Sequence, residues 1–259
     1  MRRSTRRSAR TIIPASAASR VHGLSPFSWV EATSYGDVGG AVDSLTDLVH
    51  AGTGARANTP SHAYALAAGA NRCAYPVASA AFKNQPVLTT LAASLNAYKS
   101  NAPVADWKFA HNGTGYTSYT VASTSSLVAQ RVLLASRGTA GLYKAMDSAA
   151  SSMSIFNDVG TRIVYATGGT VALNTAYIFK TSYVEGASPE AHDIFGSTDN
   201  TADSTAAPGT GNPFGMSLFF FPGGTPNYWS GAFACNLIFN RILNAAEDLT
   251  VRAYLSKWV

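Results

Sequence analysis

The stretch from residue 228 to residue 247, YWSGAFACNLIFNRILNAAE, joins a strand pattern directly to a helix start. In its middle, large or apolar side chains recur at every second position, namely Phe233, Cys235, Leu237 and Phe239. A period of two places such side chains on the same face of a β-strand. The pattern therefore predicts a half-buried strand, with one apolar face and one more polar face.

The helix start follows this strand at once. Asn244 is a favourable N-cap, and Glu247 stands three residues later, which matches a capping box that satisfies otherwise unpaired backbone amides. Further along, Leu249, Ala253 and Trp258 recur at near-helical spacing and predict an apolar stripe. We expect this short C-terminal helix to dock on the strands rather than to bind a cofactor.

Upstream, runs of β-branched and aromatic residues are separated by Gly, Asn, Asp and Pro, which is typical of short strands between turns. These runs cover residues 107–111, 116–121, 131–135, 162–166, 176–184, 216–221 and 233–240. Leu88, Leu91 and Leu95, at i, i+3 and i+7, predict one or two helical turns within residues 87–98. Short strands ending in one amphipathic helix predict an all-β fold, an antiparallel β-sandwich with a short C-terminal helix.

The positive charge is concentrated at the beginning of the chain. Of 259 residues, 19 are basic and 14 acidic. Six arginines precede the first acidic residue, and these are Arg2, Arg3, Arg6, Arg7, Arg10 and Arg20. Without them 13 basic and 14 acidic residues remain, so the body has no basic surplus to attract nucleic acid. Residues 1–22 are rich in Arg, Ser, Ala and Thr, which predicts an extended basic arm before a sandwich domain at residues 23–259.

Composition and length exclude several other classes of protein. A chain of 259 residues with 46% hydrophobic residues can bury a large core without disulfides or a structural metal. No run approaches the roughly 18 apolar residues of a membrane-spanning helix. No apolar segment typical of an export signal follows the arginines. We therefore expect no membrane contact, and we expect Cys73 and Cys235 to be reduced and buried.

Three stretches resemble a known family. They are WKFAHNGTGY at residues 107–116, the stretch at residues 228–247, and VRAYLSKW at residues 251–258. FSW at residues 27–29 and DSLTDL at residues 43–48 agree with it more weakly. From about residue 24 to residue 259 the chain resembles the laminin-G-like branch of the concanavalin A-like jelly-roll superfamily. Standalone domains of this kind occur in bacteriophage structural proteins and in extracellular adhesion proteins.

The resemblance and the arm together imply a non-catalytic structural protein of a phage-like virion, either a capsid decoration or a tail or spike component. Its expected partners are other virion proteins, such as the major capsid protein, or further copies of itself in a homo-oligomer. Three interpretations of the arm stay open: attachment to a protein lattice, salt-dependent contact with nucleic acid phosphates, and a solubilising or targeting tail. One alternative is a jelly-roll shell protein whose arm contacts packaged nucleic acid.

The sequence lacks the patterns that would point to an enzyme. Glucanases of this fold carry Glu-x-Asp-x-x-Glu or Glu-x-Asp-x-Glu on one strand, and neither pattern occurs here. There is no Gly-x-Ser-x-Gly elbow, no phosphate-binding loop, and no Cys/His spacing typical of zinc. We therefore predict that the protein is not an enzyme, and we assign no catalytic residue.

A second alternative is a glycan-binding adhesin or receptor-binding module that recognises a host-surface glycan. Exposed aromatic rings can stack on the apolar face of a sugar. Four aromatic residues in or near predicted turns are candidates, namely Tyr116, Tyr119, Tyr228 and Trp229. The same residues also fit buried positions in a core, and the sequence leaves both interpretations open.

Calcium is the cofactor that the resemblance brings into consideration, because related lectin and laminin-G domains bind it through loop oxygens. Asp199, Asn200 and Asp203 offer such oxygen ligands in a predicted loop at residues 193–212. Their spacing does not match an EF-hand. The alternative interpretation is a solvated loop without a metal.

Overall fold

The computed structural model describes residues 16–49, 62–110, 115–127, 131–136, 143–147, 152–156, 162–164, 171–183, 191–194, 197–199, 215–220 and 227–259. The strands in these ranges are β1 (Ser28–Glu31), β2 (Tyr35–Val38), β3 (Ala41–Leu45), β4 (Tyr64–Leu66), β5 (Cys73–Ala74), β6 (Val77–Ser79), β7 (Gln85–Thr90), β8 (Tyr98–Ser100), β9 (Tyr116–Thr124), β10 (Val132–Ala135), β11 (Tyr143–Asp147), β12 (Ser152–Phe156), β13 (Arg162–Val164), β14 (Tyr177–Tyr183), β15 (Ala191–Ile194), β16 (Ser197–Asp199), β17 (Ser217–Leu218) and β18 (Gly231–Phe239). The helices are α1 (Ala17–Gly23) and α2 (Ala245–Leu255), with short 3-10 helices at Ala80–Phe82, Ala92–Ser94 and Val104–Ala110. Within the described ranges, no helix is long and apolar enough to pass through a lipid bilayer.

The strands form two antiparallel sheets. The first sheet has eight strands in the order β16-β15-β14-β9-β18-β7-β6, and β1 also pairs with β18. The second sheet has ten strands in the order β13-β12-β11-β10-β17-β8-β4-β3-β2, and β5 also pairs with β3. This arrangement confirms the predicted antiparallel β-sandwich with a short C-terminal helix.

Both faces of the first sheet carry buried apolar side chains. Its inner face packs against the second sheet, and Phe179 and Phe233 lie in that core together with Trp107. Its outer face carries a second apolar cluster, in which strand residues such as Leu237 pack with Leu255 of α2. Helices α1 and α2 therefore cover part of the outer face, and the rest of that face is not covered by these helices.

Strand β18 lies in the middle of the first sheet, between β9 on one side and β1 and β7 on the other. A β-bulge shifts its register with β9 between Phe233 and Cys235. Phe233 consequently faces the inner core with Ile238, whereas Cys235 and Leu237 face the outer cluster. The predicted strand is confirmed, but its predicted half-burial is wrong because α2 covers the face that would otherwise contact water.

The C-terminal helix begins as predicted. The Asn244 side chain accepts hydrogen bonds from the amides of Ala246 and Glu247, and the Glu247 carboxylate accepts one from the Asn244 amide. The predicted apolar stripe is wrong at Leu249, which is 66% exposed, and at Ala253, which is also exposed, and only its third member, Trp258, is buried. The buried face of the helix is formed instead by Val251, Tyr254 and Leu255, with Trp258 beyond its end.

The end of α2 is fixed to β1 through one buried carboxylate. Glu31 accepts a hydrogen bond of 3.0 Å from Trp29 Nε1 and another from the Tyr254 hydroxyl. The Lys257 amine lies 3.5 Å from both carboxylate oxygens and above the Tyr254 ring. These contacts satisfy the charge of Glu31 and hold the helix against the outer face.

The last residues of the predicted arm belong to helix α1. Ser16 caps this helix, accepting a hydrogen bond from the Ser19 amide, and Val21 is buried in the outer cluster. Arg20 is exposed on the helix. The segment from Ala17 onward therefore packs on the sandwich, and residues 1–15 lie outside the described residues.

Two predicted segments have a different secondary structure. Residues 107–110 belong to the 3-10 helix Val104–Ala110 rather than to a strand, and this helix buries both Trp107 and Phe109. Of the one or two helical turns predicted within residues 87–98, the structure has one, the 3-10 turn Ala92–Ser94, and the rest of the segment includes the end of β7 and the start of β8. Leu91 and Leu95 of the predicted helical stripe are exposed, because β7 pairs with β18 and leaves them beyond the strand end.

Candidate functional site

The structure buries three of the four aromatic residues predicted to stack on glycans. The side chains of Tyr116, Tyr119 and Trp229 have no exposed surface. Tyr116 and Trp229 lie in the core between the sheets, and Tyr119 donates a 2.5 Å hydrogen bond to Asp248 of α2. A ring without an exposed face cannot stack on a sugar, so the glycan-binding prediction is wrong for these three residues.

Tyr228 is the fourth predicted residue, and it is half-buried. Its ring lies nearly parallel to that of Phe220, at 19° and with 6.3 Å between the ring centres. One face of the Tyr228 ring is thus occupied by another side chain.

The other predicted sites fall mainly outside the described residues. Asp199 ends β16, but its side chain, like Asn200 and Asp203, is not among those described. Arg2, Arg3, Arg6, Arg7 and Arg10 also lie outside the described ranges. Among the described residues, no group of three or more His, Cys, Asp or Glu side chains is arranged to hold a metal ion. The calcium site and the role of the arm stay predictions.

A pocket of about 230 Å³ opens on the outer face of the first sheet. Its base is a row of small side chains across three adjacent strands, because Ala232 of β18 pairs with both Thr89 of β7 and Ser123 of β9. Leu91 and Asn174 add an apolar and an amide side chain to the lining. We call this feature the hydroxyl pocket.

Two polar side chains of the hydroxyl pocket, Thr89 and Asn174, are open to solvent, whereas Ser123 at its base is buried. In the described part of the chain, no hydrogen bond engages the side chains of Thr89, Ser123 or Asn174. Thr89 and Asn174 are exposed, and Leu91 is 52% exposed beside them. Hydroxyl and amide groups both donate and accept hydrogen bonds, so they can bind ligand hydroxyls in either direction.

The backbone around the hydroxyl pocket is fixed by a close approach of β18 to β9. A Cβ atom on Gly231 would lie 2.0 Å from the Ser123 carbonyl oxygen, so only glycine fits there. The Ser125 amide donates to the Ser230 carbonyl, and the two serine hydroxyls are 2.9 Å apart. Asn174 lies in the left-handed backbone region at φ +56°. Its backbone N–H donates a 2.7 Å hydrogen bond to the Thr124 carbonyl oxygen.

Charge distinguishes the hydroxyl pocket from a site for ionic ligands. Among the described residues that line it, none is charged. A carboxylate or phosphate bound there would lose water without gaining a cationic partner. The lining therefore suits a small uncharged ligand with several hydroxyl groups and one apolar side.

A pair of exposed tyrosines forms a second candidate surface, on the second sheet. Tyr35 of β2 and Tyr75, just after β5, are 37% and 39% exposed, and their ring centres lie 5.8 Å apart. The Tyr75 hydroxyl donates a hydrogen bond to Asp37, and this bond raises the pKa of Tyr75. This tyrosine pair was not predictable from local patterns, because the two residues are 40 positions apart in the sequence and meet only when β2 and β5 both pair with β3.

A histidine lies between two carboxylates at the edge of the core. His62 Nδ1 is 3.8 Å from Asp47 and His62 Nε2 is 3.6 Å from Asp106. Asp47 also accepts hydrogen bonds from the backbone amides of Trp29, Val49 and His62. The contacts of Asp47 are thus structural, since they hold three backbone segments together.

Comparison with solved structures shows that this chain is similar to other β-sandwich domains. No protein-family model matches the sequence, and no curated protein is similar to it in sequence. The botulinum neurotoxin serotype D/C binding domain matches 91% of this chain with a TM-score of 0.57 and 9% identity. Trypanosoma rangeli sialidase in complex with 2,3-difluorosialic acid matches 88% of it with a TM-score of 0.53 and 12% identity.

A mutant of the same sialidase that displays trans-sialidase activity matches 90% of this chain, with a TM-score of 0.52 and 12% identity. The chain spans 33% and 34% of the two sialidase chains and 53% of the neurotoxin chain. At these identities the likeness shows the β-sandwich fold alone.

Proposed function

We propose that this chain is a non-catalytic carbohydrate-binding module that holds a neutral sugar in the hydroxyl pocket. The observation that carries the proposal is a pocket whose described lining is uncharged and in which hydroxyl and amide groups without a described hydrogen bond lie beside an exposed leucine. A sugar has the matching chemistry, because its hydroxyl groups need both hydrogen-bond donors and hydrogen-bond acceptors, and one side of its ring is apolar. The hydroxyl pocket has a volume of about 230 Å³, which suits a single sugar ring rather than a drug-sized ligand.

The fold comparison supports a binding role without identifying a ligand. The neurotoxin match is itself a binding domain, and the sialidase match is a complex with a sialic acid derivative. Sialic acid carries a carboxylate, and the described lining of the hydroxyl pocket offers no cation to it. A neutral sugar therefore fits this chain better than an acidic one.

Removing a polar group of the hydroxyl pocket should weaken sugar binding. Thr89→Val deletes one hydroxyl at constant shape, and Asn174→Gly deletes the amide while keeping a residue that tolerates a positive φ. Each variant should weaken binding by about fivefold, since a lost hydrogen bond in a pocket costs on the order of 1 kcal/mol. The measurement is calorimetric titration with glucose, galactose, mannose and their disaccharides, and with N-acetylneuraminic acid as the acidic probe.

The matched control for Thr89→Val is Thr46→Val, which alters an exposed threonine outside the hydroxyl pocket. The control should bind as tightly as the unaltered protein. If none of the neutral sugars binds, or if the acidic probe binds better than all of them, the assignment of the ligand is wrong.

A double substitution at the tyrosine pair distinguishes the two candidate surfaces. Tyr35→Ala with Tyr75→Ala removes two exposed rings, and we expect sugar affinity to change by less than about twofold. The measurement is the same titration, with the fold checked by circular dichroism. Loss of binding in this variant alone would keep the carbohydrate-binding function and move its site to the tyrosine pair.

The arginine-rich beginning of the chain favours a second function. Five arginines precede Ala17, where helix α1 begins, and such a segment can attach to a protein lattice or to nucleic acid phosphates. We propose that the sandwich is displayed on a phage-like virion through this segment. Quantitative mass spectrometry of purified particles tests the role, since hundreds of copies favour capsid decoration, a few favour a tail or spike, and none contradicts it.

A further inference from the structure

Inside the sandwich, four polar side chains lie together on the inner face of the first sheet. The strand register places Ser118 directly opposite Thr181, and Thr120 directly opposite Asn236. All four side chains are fully buried. Lys144 of β11 in the second sheet reaches into this group and is itself fully buried. We call these five residues the lysine cluster.

The lysine cluster has more hydrogen-bond donors than engaged acceptors. Lys144 Nζ lies 3.1 Å from the Phe179 carbonyl oxygen and 3.4 Å from Thr120 Oγ1. The Thr120 hydroxyl donates to Asn236 Oδ1 at 2.9 Å, which uses the acceptor of that amide. Within the described part of the chain, Ser118 Oγ, Thr181 Oγ1 and Asn236 Nδ2 are buried without a hydrogen-bond partner.

The lysine cluster has no negative charge in the part of the chain that is described. No carboxylate there lies within ion-pair distance of Lys144. An ammonium group, an amide N–H and two hydroxyl groups are all hydrogen-bond donors, and an anion accepts from each of these kinds of donor. A buried cation with only neutral partners is costly, and an anion placed beside it would offset much of that cost.

We propose that the lysine cluster binds a small inorganic anion of the size of chloride between the two sheets. Lys144 supplies the charge, and Asn236, Ser118 and Thr181 supply neutral donors. Burial lowers the pKa of Lys144 to about 7, and a bound anion would raise it again by favouring the ammonium form. A water molecule is the competing occupant, and it differs from an anion because its binding does not depend on the salt used.

Chloride should stabilise the protein specifically. Thermal unfolding is measured at pH 7 in sodium chloride and in sodium gluconate at equal ionic strength, because gluconate is too large to enter. The Tm of the unaltered protein should be roughly 3 °C higher in chloride, and the difference should grow with chloride concentration. Lys144→Met should lose the difference, whereas Lys108→Met, at an exposed lysine, should retain it.

A second variant and a second readout keep the test independent of Lys144 alone. Thr181→Val preserves the shape of the side chain and removes one donor. About ten times more chloride should then be needed for the same increase in Tm. Crystals soaked in sodium bromide should show an anomalous peak beside Lys144 Nζ. An equal Tm in both salts, or no bromide peak, would mean that water or no ligand occupies the lysine cluster and would overturn the proposal. The hydroxyl pocket lies on the opposite face of the sheet, so that result leaves sugar binding unaffected.

Discussion

Lys144→Met is expected to raise the free energy of unfolding by about 2 to 4 kcal/mol at pH 7 in chloride-free buffer. The cause is burial, which lowers the pKa of Lys144 from 10.5 to about 7. The unfolded chain therefore binds a proton that the folded chain binds poorly. Methionine has a similar length and loses no solvation when it is buried.

The same substitution should change the dependence of stability on pH. Between pH 7 and pH 9 the unfolded state holds more protons at Lys144 than the folded state, so the stability of the unaltered protein should rise with pH. Below pH 7 both states are protonated and this contribution becomes constant. Lys144→Met should remove the rise. Urea unfolding at pH 7 and pH 9 measures both quantities, with Lys108→Met as the control.

A destabilised Lys144→Met variant would contradict this interpretation, and so would a stability difference that is the same at pH 7 and pH 9. The first result would mean that the two contacts of Lys144 with the first sheet contribute more than its burial costs. The second would mean that Lys144 keeps an ordinary pKa.

Gly231→Ala is expected to destabilise the protein by about 3 kcal/mol or more. The added Cβ would lie 2.0 Å from the Ser123 carbonyl oxygen and 2.9 Å from Thr124 Cα. Both are backbone atoms of β9, so no side-chain rotation relieves the overlap. Strands β9 and β18 would have to separate at the base of the hydroxyl pocket, and sugar binding should fall together with stability.

Gly23→Ala is the matched control for this substitution, because nothing lies within 4 Å of a Cβ atom placed there. Its stability, measured by urea unfolding, should differ from that of the unaltered protein by less than about 0.5 kcal/mol. Similar stabilities for the two variants would show that the approach of β18 to β9 is not as close as described.

Local sequence patterns predicted the C-terminal strand and helix, β18 and α2, better than the rest of the fold. The strand at residues 231–239 and the capping box at Asn244 each depend on neighbouring residues, and both are confirmed, although Phe233 lies on the opposite face from Cys235 and Leu237. The β-bulge before Cys235 was not predictable from such patterns, because it depends on the register with β9. Helix α1 was missed because its burial rests on contacts with α2 and the outer cluster, which are distant in sequence.

The candidate site was harder to predict, because its residues come from separate segments. Thr89, Ser123, Asn174 and Ala232 meet only after β7, β9 and β18 have paired, and no short motif joins them. Aromatic side chains near turns were a misleading signal. Tyr119 lies in the middle of β9, under α2, so a ring that the sequence places near a turn is part of the core.

The most direct test of the central claim is a two-dimensional amide NMR titration of the isotope-labelled protein with a neutral disaccharide such as lactose or maltose. We predict that the amide signals of Thr89, Ser123, Asn174 and Ala232 shift in a saturable manner, while those of Tyr35 and Tyr75 stay in place. Shifts confined to the tyrosine pair would contradict the hydroxyl pocket as the site. The absence of any saturable shift with the whole panel of neutral sugars would contradict the proposed carbohydrate-binding function.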